Sequence, residues 1–574
     1  MTRLASLGLC VALCLPQGAP DARGALHEAG TPRSVAPAGG RPSLVVVIVV
    51  DQLAAGRLEK ARKWLGGGFA RFLDEGRSYT KCAHAHAATE TGPGHATLLS
   101  GLFPAHNGII GNDWFDREAH RKIYCAGAAE SGPRNYDGSA GVSARNLEGE
   151  NLADLVRRAD PASKVFTVAG KDRSAILTGG HRPNAAYWYS LRNGGFTSNA
   201  ALVPDLPAWG ADFWGESPTT TEFYRKNIPE EWSYEVRPEW GPDDVPTESS
   251  SASRVSPHPM VAGADRLTGQ ADLVSIRARR VFTSPWVDWL TLQLARRILE
   301  HEALGADAAP DLLVVGLAGL DAVGHSYGPD SQEYLDTLVR VDGWLAEFMK
   351  AAGRAGREGA GGCVMFALSA DHGVLPLPEL VPGARRVKDD QMSDKLETAV
   401  AARLGQKGEG PFIETINWLD VYFDRRTLDR LGVPLARAID AARAELSGWP
   451  EVVRVRTADE LSSAAPAGAD PFLDLYRNSF SRARSGDLVI QPCEKCLFTS
   501  RAEGTSHGSP YDYDRQVPMI LIGPGIKAGQ DSSECRTVDL APTIASWLGA
   551  AFAAPRDGRP LPTGAPVDSA STRK

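Results

Sequence analysis

Three long apolar runs in this chain each lead to a carboxylate. Leu44 to Val50 runs into Asp51, Leu312 to Val315 leads toward Asp321, and Val364 to Ala370 runs into Asp371. Uninterrupted hydrophobic runs are the mark of parallel strands covered on both faces. An open sheet of such strands binds its ligands beyond their carboxyl ends. The three aspartates are therefore expected along one edge of one sheet. Asp321 has His325 four residues on, and Asp371 is followed by His372. Carboxylates and imidazoles gathered on one edge predict a metal-dependent active site.

The rest of the chain extends the same pattern. An amphipathic helix around Leu152 to Val156 precedes a strand at 164–168. Ser284 and Pro285 open a helix whose Val287, Leu290, Leu294 and Ile298 keep helical spacing. Strands at 311–317, 363–370 and 517–522 and helices at 331–349 and 539–548 follow. The expected fold is α/β, a mostly parallel central sheet sandwiched by helices. Residues 183–283 are rich in Trp, Tyr, Pro, Ser and Thr and read as an inserted cap. Residues 380–480 are more polar, mix α and β, and carry no obvious chemistry. The catalytic domain is expected over 43–552, with a disordered tail over 553–574.

At the N-terminus Arg3 precedes the apolar stretch Leu4 to Leu15 and then Pro16. That is too short to span a bilayer and has the layout of a signal peptide. A buried N-terminal helix is the other reading, but the Gly- and Pro-rich sequence that follows favours the leader. We expect a signal peptide over 1–24, a linker over 25–42, and a periplasmic or secreted protein with no membrane span after cleavage. Six of the eight cysteines lie beyond the leader, an even number that suits disulfides in an exported chain. Cys493 and Cys496 are expected to pair locally, since no second CxxC supports a zinc ribbon and no thioredoxin-like context supports a redox motif. With a net charge of −8 and no basic patch, no nucleic-acid partner is expected.

The candidate metal ligands are Asp51, Asp321, His325, Asp371, His372 and His507, a donor set that suits zinc, with cobalt and manganese as competitors. Asp51 and Asp371 also fit the plainer role of helix N-caps after strands. His507 sits in the Gly- and Ser-rich loop Gly504 to Pro510. The candidate nucleophile is Thr91, in Thr91-Gly92-Pro93-Gly94-His95, placed by the following apolar pattern at a helix N-terminus. Free N–H groups and the helix dipole there favour an alkoxide and a bound phosphate. A Gly-Pro turn capped by Thr is the alternative. Lys171 and Arg173 follow the strand that ends near Ala169, where an ammonium and a guanidinium suit phosphate; an exposed charged turn is the alternative. Asn112 is a candidate donor to a phosphoryl oxygen or a turn residue. His84, His86, His95 and His181 are expected to be structural hydrogen-bonders. No Gly-x-Ser-x-Gly, His-Glu-x-x-His or Walker A pattern occurs.

In this order these motifs resemble the alkaline phosphatase superfamily. The resemblance extends to Val50-Asp51-Gln52, Gly111-Asn112-Asp113-Trp114, Lys171-Asp172-Arg173, Ala370-Asp371-His372-Gly373 and Thr505-Ser506-His507-Gly508. It spans roughly 44–550 and lies in the type I phosphodiesterase/nucleotide pyrophosphatase branch. Within that branch the chain is most similar to phosphate-irrepressible alkaline phosphatases with a threonine nucleophile. The resemblance implies two Zn²⁺ ions, one held by Asp321, His325 and His507, the other by Asp51, Asp371, His372 and the Thr91 oxygen. Two ions about 3.5–4 Å apart clamp the attacking and leaving oxygens of an in-line displacement. It further implies a covalent phosphothreonine at Thr91, with Asn112, Lys171 and Arg173 on the phosphoryl oxygens. Phosphodiesterase relatives generally lack the Lys171/Arg173 pair, so the implied substrates are small phosphate monoesters, acted on by a monomer. A phosphodiesterase or nucleotide pyrophosphatase on the same scaffold is the alternative. Gly316-Leu317-Ala318-Gly319-Leu320 departs from the family, where Ser and Thr are usual, so the hydrogen bonding around Asp321 is expected to differ.

Overall fold

The computed structural model of the protein describes residues 40–215, 218–249, 253–260, 270–358, 363–464, 466 and 468–564. The expected signal peptide and most of the expected linker lie outside the described residues.

Among the described residues, nine strands form one sheet. In chain order they are β1 (Leu44–Val50), β2 (Arg77–Ala83), β3 (Val165–Ala169), β4 (Ala185–Tyr189), β5 (Phe196–Thr197), β6 (Asp311–Leu317), β7 (Val364–Ser369), β8 (Met519–Ile522) and β9 (Gly529–Arg536). Across the sheet the order is β9-β2-β8-β7-β1-β6-β3-β4-β5. The central strands β7, β1, β6, β3 and β4 are parallel. β8 is antiparallel to both neighbours.

The alternation of side chains along β1 explains its continuous apolarity. Leu44, Val46, Ile48 and Val50 enter one core with the helices Gly68–Glu75, Trp286–His301 and Gln332–Glu358. Val45, Val47 and Val49 enter the other with the helices Leu152–Ala159 and Leu540–Trp547. A strand with period 2 and helices on both sides has no face left for polar residues. Ser284 Oγ accepts from the Trp286 N–H at the start of Trp286–His301, the cap that the sequence predicts.

Register positions the site. Val50 pairs with Leu317, Val49 with Ser369 and Gly316 with Ala169. The strands therefore finish level, and Asp51, Asp371 and Lys171 leave the sheet together.

Two boundaries differ from expectation, and the polar segment proves to be a unit of its own. The stretch expected as a cap begins inside the sheet, because the apolar run 185–189 and the short Phe196–Thr197 form β4 and β5; the insertion proper follows them. The polar segment after β7 forms an antiparallel four-stranded sheet of its own, ordered Ile413–Asn417, Asp420–Phe423, Leu488–Pro492, Val452–Thr457. Helices Met392–Leu404 and Leu435–Leu446 cover it, with Leu396, Val400, Val421, Ala438 and Ile490 fully buried between the layers. Residues 553–564, expected as disordered tail, lie against the domain: Leu561 is buried, and Asp557 accepts from the Phe103 N–H. The Cys493–Cys496 disulfide is present, while Cys82 and Cys535 face each other as thiols across β2 and β9.

Candidate active site

Each expected site residue arises from a local feature of the chain. Asp51 and Asp371 follow β1 and β7. Helix Thr91–Ser100 begins at the candidate nucleophile, with extended Glu90 as its N-cap. Helix Gly319–Tyr327 starts just past β6 and carries Asp321 and His325 on one face, one turn apart. Lys171 caps helix Asp172–Gly179 after β3 and Arg173 lies in its first turn. His507 arrives on the loop that leads back to β8. The approach of the Thr91 helix to the sheet edge requires Gly94, because a Cβ there would lie 2.2 Å from the Asp371 carbonyl oxygen.

The side chains converge. Lys171 Nζ lies 2.6 Å from Asp51 Oδ2, 2.5 Å from Asp321 Oδ2 and 3.2 Å from Thr91 Oγ1. Arg173 donates to the same Thr91 oxygen at 3.3 Å. His325 Nε2 is 3.2 Å from Asp321 Oδ1, and His372 Nε2 is 3.3 Å from both Asp51 Oδ1 and Asp371 Oδ2. The His372 and His507 rings stack with centroids 3.4 Å apart. The Asn112 amide oxygen accepts from the Gly92 N–H at 2.8 Å, which leaves its NH₂ group to donate. A cleft of 680 Å³ opens over the group and is lined by Lys171, Arg173, Asp321 and His325.

The protonation pattern follows from burial set against charge. Burial alone would push the Asp51 carboxyl up, but the Lys171 ammonium holds it well below the usual carboxylate range. Burial works the other way on Lys171, and Asp321 and Asp51 overcome it and raise its pKa. Asp371 is raised, by burial and then by the Asp51 charge. His507 is lowered, by burial and by the neighbouring His372 and His325.

Among the described residues, two groups of donor atoms could hold a metal ion: Asp321, His325 and His507, and Asp51, Asp321 and His372, each within 4.8 Å of one another. The first is the set implied by the resemblance. The second takes Asp321 in place of Asp371, whose Oδ2 lies 3.2 Å from His95 Nδ1. The chemistry of the set fits a cation. Asp51 Oδ1, Asp371 Oδ2 and His372 Nε2 are buried without a hydrogen-bond partner, and Asp51 Oδ2 is met only by the Lys171 ammonium; such atoms are costly unless something binds them. The Nδ1 atoms of His325, His372 and His507 lie 2.8–2.9 Å from the carbonyl oxygens of Thr505, Gly373 and Thr89. A carbonyl only accepts, so each Nδ1 carries a proton and each Nε2 is aimed at the cluster, the arrangement usual for metal-ligating histidines.

Comparison with known proteins identifies the family. The type I phosphodiesterase / nucleotide pyrophosphatase family pattern matches residues 45–513. The chain belongs to this family. Alkaline phosphatase PafA of Elizabethkingia meningoseptica is 31% identical over 536 residues, 91% of this chain and 94% of its own length. Alkaline phosphatase PhoD of Zymomonas mobilis is 31% identical over 522 residues, covering 88% and 85%. The crystal structure of wild-type PafA matches with a TM-score of 0.80 at 29% identity, over 91% of this chain and 98% of that one. The mixed α/β fold around a mostly parallel sheet is thus shared with that branch of the family.

The roles of Gln52, Glu90 and Asp288 around the family's site were not read from the sequence. Gln52, at φ 70°, gives its backbone N–H to Asp371 Oδ1 and its Nε2 to Asp321 Oδ1. Glu90 accepts from the Asn112 N–H, and burial pushes its carboxyl up to about 7. His95, expected to be structural, bonds the Thr91 carbonyl through Nδ1. Gln52 lies inside the motif Val50-Asp51-Gln52 and Glu90 adjoins Thr91, which is the only signal the sequence carries for their roles. Asp288 answers the expected departure before Asp321: its Oδ1 accepts from the Ala318 and Gly319 N–H groups at 2.8 Å each. A carboxylate from the preceding helix thus steadies this turn, and helical periodicity alone could not single it out.

Proposed function

We propose that this protein is an exported dizinc phosphomonoesterase of broad specificity, an alkaline phosphatase that works through a covalent phosphothreonine at Thr91. The observation that carries the reading is the double hold of Lys171 and Arg173 on the Thr91 oxygen, where two cations face the position a phosphoryl group must occupy. Asp321, His325 and His507 would hold one zinc ion, and Asp51, Asp371 and His372, with the Thr91 oxygen, the other. Zinc at these positions supplies Lewis acidity toward the attacking and leaving oxygens.

The residues of the chain then divide the work. Thr91 Oγ attacks phosphorus at the N-terminus of its helix; a P–Oγ bond forms as the ester P–O bond breaks, and the alcohol leaves with a proton. Water next cleaves the P–Oγ bond, releasing phosphate and restoring the hydroxyl. Asn112 donates its amide to one phosphoryl oxygen. The guanidinium of Arg173 and the ammonium of Lys171 balance the others, and a monoester dianion gains most from them because its terminal oxygens carry more charge than those of a diester. The names of the alkaline phosphatase relatives support the same substrate class. Export is supported by the Cys493–Cys496 disulfide, and among the described residues no helix is long and apolar enough to cross a membrane.

The test is kcat/KM of the zinc-loaded protein on an aryl phosphate monoester and the matching diester, with and without a chelator. Chelator-sensitive preference for the monoester is expected. Preference for the diester would move the protein to the phosphodiesterases of the same scaffold.

A further inference from the structure

Trp418 does not fit the economy of a folded surface. It sits at the tip of the hairpin formed by Ile413–Asn417 and Asp420–Phe423, in the second insertion. Its φ is 55°, the left-handed region that bulky residues avoid. The residue is 42% exposed, one of few large hydrophobic residues left in water among the described residues. A strained backbone that presents an apolar ring to solvent is sustained only by its surroundings, and such strain gathers at functional positions.

Those surroundings belong to the active site. The indole N–H donates to the Gly508 carbonyl at 3.3 Å. The ring lies on Gly508, where a Cβ would come within 2.8 Å of it; φ there is +113°, so glycine is required twice over. On the other side of the tip, Asn417 Nδ2 donates to the Asp113 carbonyl at 3.0 Å. Gly508 follows His507 and Asp113 follows Asn112, so the hairpin is fastened to both. The ring lines the same cleft as Lys171, Arg173, Asp321 and His325. The phosphoryl group needs the charged floor of that cleft, whereas the flat apolar face on its rim suits a different part of the substrate.

We infer that Trp418 is a stacking platform for a planar aromatic group in the alcohol portion of the phosphate monoester, making it a specificity-determining residue. The inference rests on the monoesterase reading and deepens it. A nucleobase and a simple aryl ring share the required chemistry, and two matched substrate pairs tell them apart. Adenosine 5′-monophosphate and ribose 5-phosphate differ only in the base. Benzyl phosphate and cyclohexylmethyl phosphate differ in ring planarity with a similar leaving oxygen.

The experiment is kcat/KM of the full, zinc-loaded protein and of Trp418→Ala, Trp418→Leu and Trp418→Phe on all four esters. Taking the change in each ratio on mutation cancels intrinsic reactivity. The aromatic-to-non-aromatic ratio is expected to fall about tenfold in Trp418→Ala and Trp418→Leu, and to stay within about threefold in Trp418→Phe. A fall confined to the nucleotide pair identifies a nucleobase; a fall in both identifies any planar ring. Ratios that do not move, or equal losses on all four esters, would overturn the inference and leave Trp418 as a brace for the His507 loop. Absence of hydrolysis of every ester by the unmutated protein would instead sink the monoesterase reading, and the platform with it.

Discussion

The two insertions in the sheet bury their side chains in different places. In the first, Val203, Phe213, Tyr224, Ile228, Trp232, Trp240 and Met260 all join the core beneath Leu44, Val46 and Ile48. In the second, Leu396, Val400, Val421, Ala438 and Ile490 form a separate core between a small antiparallel sheet and two helices. The aromatic segment looks like a lid by composition, yet most of its rings are structural filling. The polar segment looks chemically silent, yet its hairpin sets Trp418 on the cleft and its disulfide-closed end leads into the His507 loop. A segment able to supply its own core can be aimed as a unit, whereas one that shares the main core is held by it.

The largest expected effect tests the framework between the insertions. Thr91→Ala removes the hydroxyl on which both cations converge and touches neither insertion. Monoester kcat/KM is expected to fall about 10⁴-fold or more, as when a nucleophile is lost. Activity above about a tenth of the original would mean that some other group attacks phosphorus.

Next come the cations just ahead of the first insertion. Replacing both Lys171 and Arg173 by Ala should lower monoester kcat/KM about 10³-fold, with a much smaller loss on the matching diester. Equal losses on both esters would remove the monoester role. The effect would then be general electrostatics at the sheet edge, with Lys171 acting mainly as partner of Asp51 and Asp321.

Much of this architecture was legible in the chain. β1, β6 and β7 could be read because burial on both faces writes an unbroken apolar run, and the carboxylates at or beyond their ends follow from strand direction alone. Thr91 could be placed because the apolar helical pattern that follows the glycines marks a helix, and that helix begins at Thr91 itself. The second insertion was less legible: its strands have one covered and one open face, so they lack long runs, and its packing depends on contacts distant in sequence. Gln52, Glu90 and Asp288 act through backbone N–H groups or through neighbours hundreds of residues away, and such partners leave no local signature. Trp418 is invisible for a related reason, since its meaning lies in Gly508, ninety positions on.

A matched pair of core substitutions tests the comparison directly. Leu396→Ala and Phe213→Ala each remove a fully buried side chain, and each should cost about 3 kcal/mol. If the second insertion has its own core, Leu396→Ala should raise hydrogen exchange mainly over 392–498 and leave β1 protected. Phe213→Ala should instead reduce protection across β1 and β6, since its ring belongs to their core. Exchange that rises everywhere in both variants would erase the distinction.

The smallest effect probes a charge hidden in the first insertion. Burial pushes the Glu248 carboxyl up to about 9 from an ordinary 4.5, and Glu333, Asp244 and Asp243 add to the rise against one opposing N–H from Val245. A pKa raised on folding means that the folded state favours the neutral acid. That contribution is complete below pH 4.5 and is lost as pH climbs through the window from 4.5 to about 9. Glu248→Gln keeps the amide oxygen as an acceptor for Val245 and never ionises. Its Tm should match that of the parent near pH 4.5 and exceed it by about 1–3 °C at pH 9, the gap opening steadily between. Because this insertion shares the main core, the shift should appear in the principal unfolding transition. A gap independent of pH would mean that Glu248 is ionised in the folded protein, and a shift confined to a minor transition would mean that the first insertion unfolds on its own, like the second.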